Sequence, residues 1–315
     1  MTRISTAGNY SSMLTNLSRA QVEQAKWGDQ ISTKQVATDL KGFAKNAEYI
    51  TALKNVQSKV GSFLEQNTLI TDKLSMQDVA LSRAADTAQN IRTSVTEAIA
   101  AGNADTMMEQ LQSYFADAVS ALNTQHQGQF LFAGGKIDTQ PVVASSLEDL
   151  TPPLPATPAE LADQITAQFT NDKFTASIRL NETATINPSF HADTLGGPLF
   201  TVLQNIQVYV EENGDFDGNL TQEQSDFLKS QLPLLDDARK GLIDETARNG
   251  MLQNRVEQAA GILKERESGM EVMIGGIVDA DYAAASVRLN IAQLSLEGSA
   301  RVFSLLSGSS ILDVL

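Results

Sequence analysis

Apolar residues recur along two long stretches of this chain in alternating steps of three and four. The first runs Tyr49, Leu53, Val56, Val60, Phe63, Asn67, Ile70, Leu74, Gln77, Leu81, Ala84, Ala88, Ile91, Val95, Ala98, apolar everywhere but Asn67 and Gln77. A step averaging three and a half marks a helix with one buried seam. The pattern therefore predicts one helix of about 50 residues, roughly 75 Å long at about 1.5 Å per residue. The two amides fall on the seam itself, where a buried polar side chain fixes register at some cost in stability. Gly102-Asn103 interrupts the pattern, and Met108, Leu111, Phe115, Ala118, Leu122 and Gln125 predict a shorter helix ending near Gln127-Gly128, where glycine suits a C-cap. Gln129 to Lys136 then reads as an apolar strand closed by a glycine turn.

The second long stripe comprises Leu235, Ala238, Leu242, Glu245, Asn249, Leu252, Val256, Ala259, Leu263, Arg266, Met270, Met273 and Ile277. Beyond it the last helix carries two stripes. One is Val278, Tyr282, Ala285, Leu289, Ala292, Leu296, Ser299, Phe303 and Leu306; the other is Ala284, Val287, Ile291, Leu294 and Leu305. A helix apolar on two faces must be surrounded. The first 40 residues, helix-compatible and punctuated by Ile4, Leu14, Leu17, Ala25 and Ile31, offer one partner helix. One helix cannot cover two faces, so the remaining face predicts contacts with other subunits. The expected contact set is Leu14, Leu17, Ile31, Val278, Tyr282, Leu289, Ile291, Leu294, Leu296, Val302, Phe303 and Leu306.

Proline changes the picture in the middle. Seven of the eight prolines lie between Pro141 and Pro198, and the eighth is Pro233. Proline breaks helix interiors, so residues 141–196 are expected to form a small β-containing insert, and 151–158 to be non-helical. Within it, 174–180 and 183–186 are β-prone, with a turn at Asn181-Glu182.

Charge sharpens the division. The 315 residues hold 23 bases and 38 acids, a net charge of -15. Residues 1–40 carry +1 and residues 280–315 carry -1, so the body holds the whole excess. Near-neutral apolar ends on an acidic body suit end-mediated polymerisation with a solvated exterior. The acidity argues against nucleic-acid binding, which needs a basic patch. No run approaches 18 consecutive apolar residues, so no membrane-inserted helix is expected, and the N-terminus lacks the apolar core of a cleavable signal peptide.

The chemical inventory is short. There is no cysteine, hence no disulfide, thiolate or Cys-ligated metal, and the only histidines are His126 and His191. His126 is expected at a helix C-terminus, where a cation is favoured. No G-x-S-x-G, P-loop or dinucleotide fingerprint occurs. The pairs Glu211-Glu212 and Asp236-Asp237 are expected to solvate helix surfaces. The most tempting site is 213–224, which resembles a calcium loop with Asn213, Asp215 and Asp217 as oxygen ligands and Gly218 at the turn. It lacks the closing bidentate Glu, because Gln224 stands there. The competing reading is a capping box from Thr221 to Gln224. The reading of the residues therefore assigns no catalytic, cofactor or metal site and no enzymatic activity.

Asp279-Ala280-Asp281-Tyr282-Ala283-Ala284-Ala285 and the helix that follows resemble the C-terminal signature of the flagellin superfamily. Gln129 to Lys136, with Ala247-Arg248-Asn249-Gly250 and Asn254-Arg255, is similar to the hook–filament junction branch of that superfamily rather than to filament flagellins. The resemblance implies a mainly α fold of long coiled-coil-like helices. It implies a terminal core domain of 1–42 plus 277–315, a helical rod domain of 43–140 plus 197–276, and an outer insert of 141–196. Gly275-Gly276 would permit a bend between core and rod helices. It further implies a hook-associated structural protein in a helical tubular homo-oligomer, between the preceding hook-associated protein and flagellin. Such a protein is extracellular, exported by the flagellar type III route without a cleaved signal, and escorted by an export chaperone. The alternatives are a bulk filament flagellin, an unrelated secreted coiled-coil protein, or an enzyme carried in the insert.

Overall fold

The computed structural model describes residues 2–216 and 218–312, with side chains described for residues 8, 11–216 and 218–305. The chain is mainly α. Seven helices are described: α1 (Thr2–Thr33), α2 (Ala47–Ala101), α3 (Met107–Leu122), α4 (Pro158–Ala167), α5 (Ala192–Asn213), α6 (Gln222–Val278) and α7 (Tyr282–Leu312). Two two-stranded antiparallel ribbons accompany them, β1 (Gln125–His126) with β2 (Gln129–Phe130) and β3 (Ile178–Arg179) with β4 (Thr185–Ile186). No described helix is long and apolar enough to cross a membrane.

The chain divides into two compact units, residues 1–61 with 265–315 and residues 62–264. In the second, the α2 seam is buried at Asn67, Ile70, Leu74, Gln77, Leu81, Ala84, Ala88, Ile91, Val95 and Ala98, with Phe63 half-buried. The α6 seam is buried at Leu235, Ala238, Leu242, Asn249, Leu252, Val256, Ala259 and Leu263. Within this unit the two helices run antiparallel, since Arg92 pairs with Asp236 at 2.5 Å while Asn249 donates to the Leu74 carbonyl at 2.9 Å. In the first unit the seam drifts: Ile50 is buried and Tyr49 exposed, Met270 is buried and Met273 exposed.

The helix α2 stops where the glycine predicted it would. Gly102 takes φ 64°, its N–H bonds to the Ile99 carbonyl, and the Asn103 N–H bonds to the Ala98 carbonyl. That pair of bonds is the Schellman closure, which needs a left-handed residue. Four other expectations are corrected. The helix α3 ends at Leu122 rather than at Gln127-Gly128, because Gln127 (φ 51°) and Gly128 (φ 79°) form the two-residue turn between β1 and β2. His126 therefore lies in a strand. The expected strand 129–136 shrinks to two residues and continues as turns. The helices α6 and α7 join not at Gly275-Gly276 but at residues 279–281, and α6 runs through both glycines to Val278. Prolines 198 and 233 sit inside α5 and α6, and Pro158 opens α4, the position where a missing N–H costs nothing.

Around the seam, α3 buries Leu111, Phe115, Ala118 and Leu122, and α5 buries Leu199, Phe200, Leu203 and Ile206. Phe200 links them, with ring centroids 5.0 Å from Phe115 and 5.3 Å from Phe169. The β-prone segments pair as expected: Asn181 Oδ1 accepts from the Thr183 and Ala184 N–H groups and turns the chain between β3 and β4.

Candidate functional site: the terminal helix pair

In the terminal unit α1 packs along α7. Small residues form the inner line, with Ala20, Ala285 and Ala292 buried. Leu17, Ile31, Leu289, Leu296, Ser299 and Phe303 are half-buried. The two chain segments are tied where the helices meet the connectors. The Val36 N–H donates to the Val278 carbonyl at 2.8 Å, the Ala280 N–H to the Lys34 carbonyl at 2.9 Å, and Gln30 Nε2 to the Val36 carbonyl at 2.8 Å. Lys34 reaches this geometry with φ 60°. Asp281 then starts α7 by accepting the Ala284 N–H at 3.0 Å through Oδ1, an N-cap that satisfies one of the free donors of the first turn.

Trp27 belongs to this pair. Its Nε1 donates to Glu23 Oε2 at 2.9 Å, and Lys26 Nζ and Arg288 Cζ each lie 4.7 Å from its ring centroid. Cation–π contact thus joins α1 to α7 through Arg288. Above it, the small side chains of Ala20, Ala292, Ser295 and Ser299 leave an open cleft of about 460 Å³. Its ionisable groups are Arg19, Glu23 and Arg288, with no histidine or hydroxyl–base pair among the described lining residues.

The other stripe of α7 stays in solvent. Val287 and Ile291 are each 58% exposed, Leu294 72% and Leu305 73%, with Tyr282 and Val302 also exposed. On α1, Leu14 and Val22 are exposed. Of the expected contact residues, then, Val278, Leu17, Ile31, Leu289, Leu296 and Phe303 are at least partly covered, whereas Leu14, Tyr282, Ile291, Leu294 and Val302 are open. The Leu306 side chain lies outside the described residues, as does that of Ile4.

The remaining sequence candidates resolve into local structure. Thr221 and Gln224 form the capping box, with Gln224 Oε1 accepting the Thr221 N–H at 2.9 Å and Thr221 Oγ1 accepting the Gln224 N–H at 3.1 Å. Asn213 ends α5 and donates to the Tyr209 carbonyl at 3.0 Å, and the Gly218 N–H donates to Asp105 Oδ1 at 2.6 Å. Asp217 lies outside the described residues. Among the described residues, no three His, Cys, Asp or Glu side chains are gathered as a metal would need. His191 precedes α5, its Nε2 3.0 Å from the Phe174 carbonyl. Asp236 is paired with Arg92, and Glu211 accepts from Thr151.

One polar constellation escaped the sequence reading. Asp172 Oδ1 accepts the Gly135 N–H at 2.6 Å and the Phe174 N–H at 2.9 Å. These bonds hold its carboxyl below the ordinary 3.8. Gly134, at φ 71°, must be glycine, because a Cβ there would sit 2.3 Å from the same carboxylate. Two adjacent glycines were the only signal, and nothing in sequence linked them to a carboxylate 37 positions away.

The chain matches known proteins at both ends and along its length. The bacterial flagellin N-terminal helical region matches residues 4–136 and the bacterial flagellin C-terminal helical region residues 232–315. The flagellar hook-associated protein 3 of Escherichia coli K12 is 21% identical over 334 residues, covering 99% of each chain. Its counterpart in Salmonella typhimurium LT2 is 21% identical over 335 residues, again covering 99% of each. Among solved structures, a flagellar hook-associated protein from Vibrio parahaemolyticus shares the fold at a TM-score of 0.58 and 16% identity, over 74% of this chain and 97% of that one. Bacillus cereus FlgL does so at 0.52 and 15%, over 72% and 99%.

Proposed function

The chain belongs to the bacterial flagellin family, and on that footing we propose that it is a hook-associated structural protein of the bacterial flagellum that joins hook to filament. The observation that carries the reading is the pair of faces on α7: one is packed on α1, while the Val287, Ile291, Leu294 and Leu305 face is exposed. In a helical tube of further copies of this chain, that face becomes interior. Each square ångström of apolar surface removed from water contributes about 25 cal/mol, so the stripe supplies association energy that the monomer leaves unused. The chain sits between the preceding hook-associated protein and the first flagellin, its role is packing rather than catalysis, and an export chaperone covers the stripe before assembly. It acts outside the cell. The end-to-end match to two hook-associated relatives supports the junction role over that of a bulk filament subunit.

The test is complementation of a strain lacking this protein with the double variant I291D/L294D. Hooks that form and shed their filaments, seen by electron microscopy, are the expected result. The purified variant should keep wild-type helicity, since both side chains are solvent-exposed. Filaments that stay attached sink the proposal, and self-polymerisation of the purified wild-type chain into long filaments would favour the flagellin role instead.

A further inference from the structure

A seam of apolar residues repeating every seven is degenerate. Sliding α6 along α2 by one heptad, about 10 Å at 1.5 Å per residue, sets apolar against apolar again. Burial alone therefore does not choose the alignment of these two helices. Three seam positions are amides, and each is essentially buried: Asn67, Gln77 and Asn249. Every one of them donates to a main-chain carbonyl outside its own helix. Asn249 Nδ2 reaches the Leu74 carbonyl of α2 at 2.9 Å and Asp78 Oδ1 at 3.3 Å. Asn67 Nδ2 reaches the Leu180 carbonyl at 3.3 Å, and Gln77 Nε2 the Pro188 carbonyl at 3.2 Å.

Of those last two carbonyls, Leu180's lies inside the β3–β4 hairpin, next after β3, and Pro188's lies two residues beyond β4. The same hairpin is held from the other side by α6. Arg248 Nη2 donates to the Ser189 carbonyl at 3.0 Å while its guanidinium lies 4.3 Å from the centroid of the Phe190 ring. Arg255 Nη2, one heptad further, donates to the Thr185 carbonyl at 3.2 Å. Leu180, Ile186 and Phe190 are buried in the same core. The hairpin thus touches both helices at fixed points along their length, and a slide of either helix breaks bonds to it.

We propose that residues 178–190 act as a jig for the long helices: Asn67 and Gln77 on α2, with Arg248 and Arg255 on α6, read one offset from the hairpin, and Asn249 checks that offset directly against Leu74. Stability alone does not account for the amides. Their carbonyl oxygens, Oδ1 of Asn67 and Asn249 and Oε1 of Gln77, are buried without a partner among the described residues, a cost that leucine at the same positions avoids. What the amides supply is a penalty on every other alignment, because a displaced amide buries its donors unpaired as well. The proline-rich middle of the chain is in this respect part of the helical frame.

The chain has no cysteine, so a spin-label pair can be introduced without further change. Val79 on α2 and Met251 on α6, both exposed, take nitroxides after substitution by cysteine, and pulsed dipolar spectroscopy reads their separation in the full chain. The unaltered frame gives one narrow distance. The variant R248A/N249L/R255A is expected to keep its helicity and to add a second population displaced by about one heptad, 10 Å. A single narrow peak at the original distance in the folded triple variant overturns the proposal. Should that variant lose its helicity, R248A/R255A decides alone: a widened distribution supports the jig, and an unchanged one overturns it. Asn249→Leu by itself should raise the melting temperature, and a lowered one would show the amide to be a stabilising contact instead of a register device.

Discussion

At the residue scale, carboxylates in this chain act as main-chain caps. Asp172 holds the Gly135 and Phe174 N–H groups, Asp149 those of Ser145 and Ser146, and Glu160 that of Thr157. All three carboxyls are pulled below their ordinary values by these bonds. A carboxyl depressed in the folded state contributes stability that is fully present above the unfolded value, here 3.8 for Asp172, and lost as pH falls through the folded one. Urea midpoints should therefore hold steady down to about pH 5 and fall below about pH 4. The Asp172→Asn variant should show a lower midpoint at neutral pH and a shallower acid loss. An acid profile identical to that of the unaltered chain would show that Asp172 takes no part.

At the element scale, α3, α5 and the aromatic joint between them carry the second unit. Phe200 is fully buried between Phe115 and Phe169. Replacing it by alanine should cost about 3–5 kcal/mol through lost burial and the cavity left behind, read as a drop in the urea midpoint with little change in slope. At the α7 start, Asp281→Ala should cost about 1 kcal/mol of helix stability, visible as faster amide exchange at Ala284 and Ala285. Element existence was largely legible in the sequence. The α2 seam is buried from Asn67 to Ala98 because a repeat that long has few other solutions, and Gly102 marks its end because only a left-handed residue closes it. The failures share a cause. Gln127-Gly128 looked like a helix cap and is a hairpin turn, since both geometries want positive φ, at one residue in the cap and at two neighbours in the turn. Helices α4 and α5 were hidden by Pro158 and Pro198, because proline is tolerated at a helix start and, at a cost, where packing holds the helix on either side. The exposed stripe of α7 could be read from spacing alone. The Asp172 latch could not, because it joins residues whose separation carries no period.

At the scale of the whole molecule, charge is sorted between the two units. Residues 1–61 and 265–315 hold 11 bases and 11 acids, so the -15 resides wholly in residues 62–264. The acidic unit repels like surfaces and stays hydrated, while the neutral one carries the exposed Val287, Ile291, Leu294 and Leu305 face of α7. Limited proteolysis of the purified monomer should trim both ends first and leave the 62–264 core, whose backbone is covered by packed side chains. Early cleavage inside α2 or α6 between residues 70 and 260 would contradict this ranking. The bond from Asn249 to Leu74 spans 175 positions, and it has a consequence in time. While the chain is being made, part of the α2 seam packs on α3 soon after it, but the bonds that Asn67, Gln77 and Leu74 make wait for residues more than a hundred places later. The early half is then incomplete until the last third arrives, and closing so long a loop makes the final step slow. A chain whose first seam is completed only by its last third stays pliable until late in its synthesis and becomes rigid at the end of it.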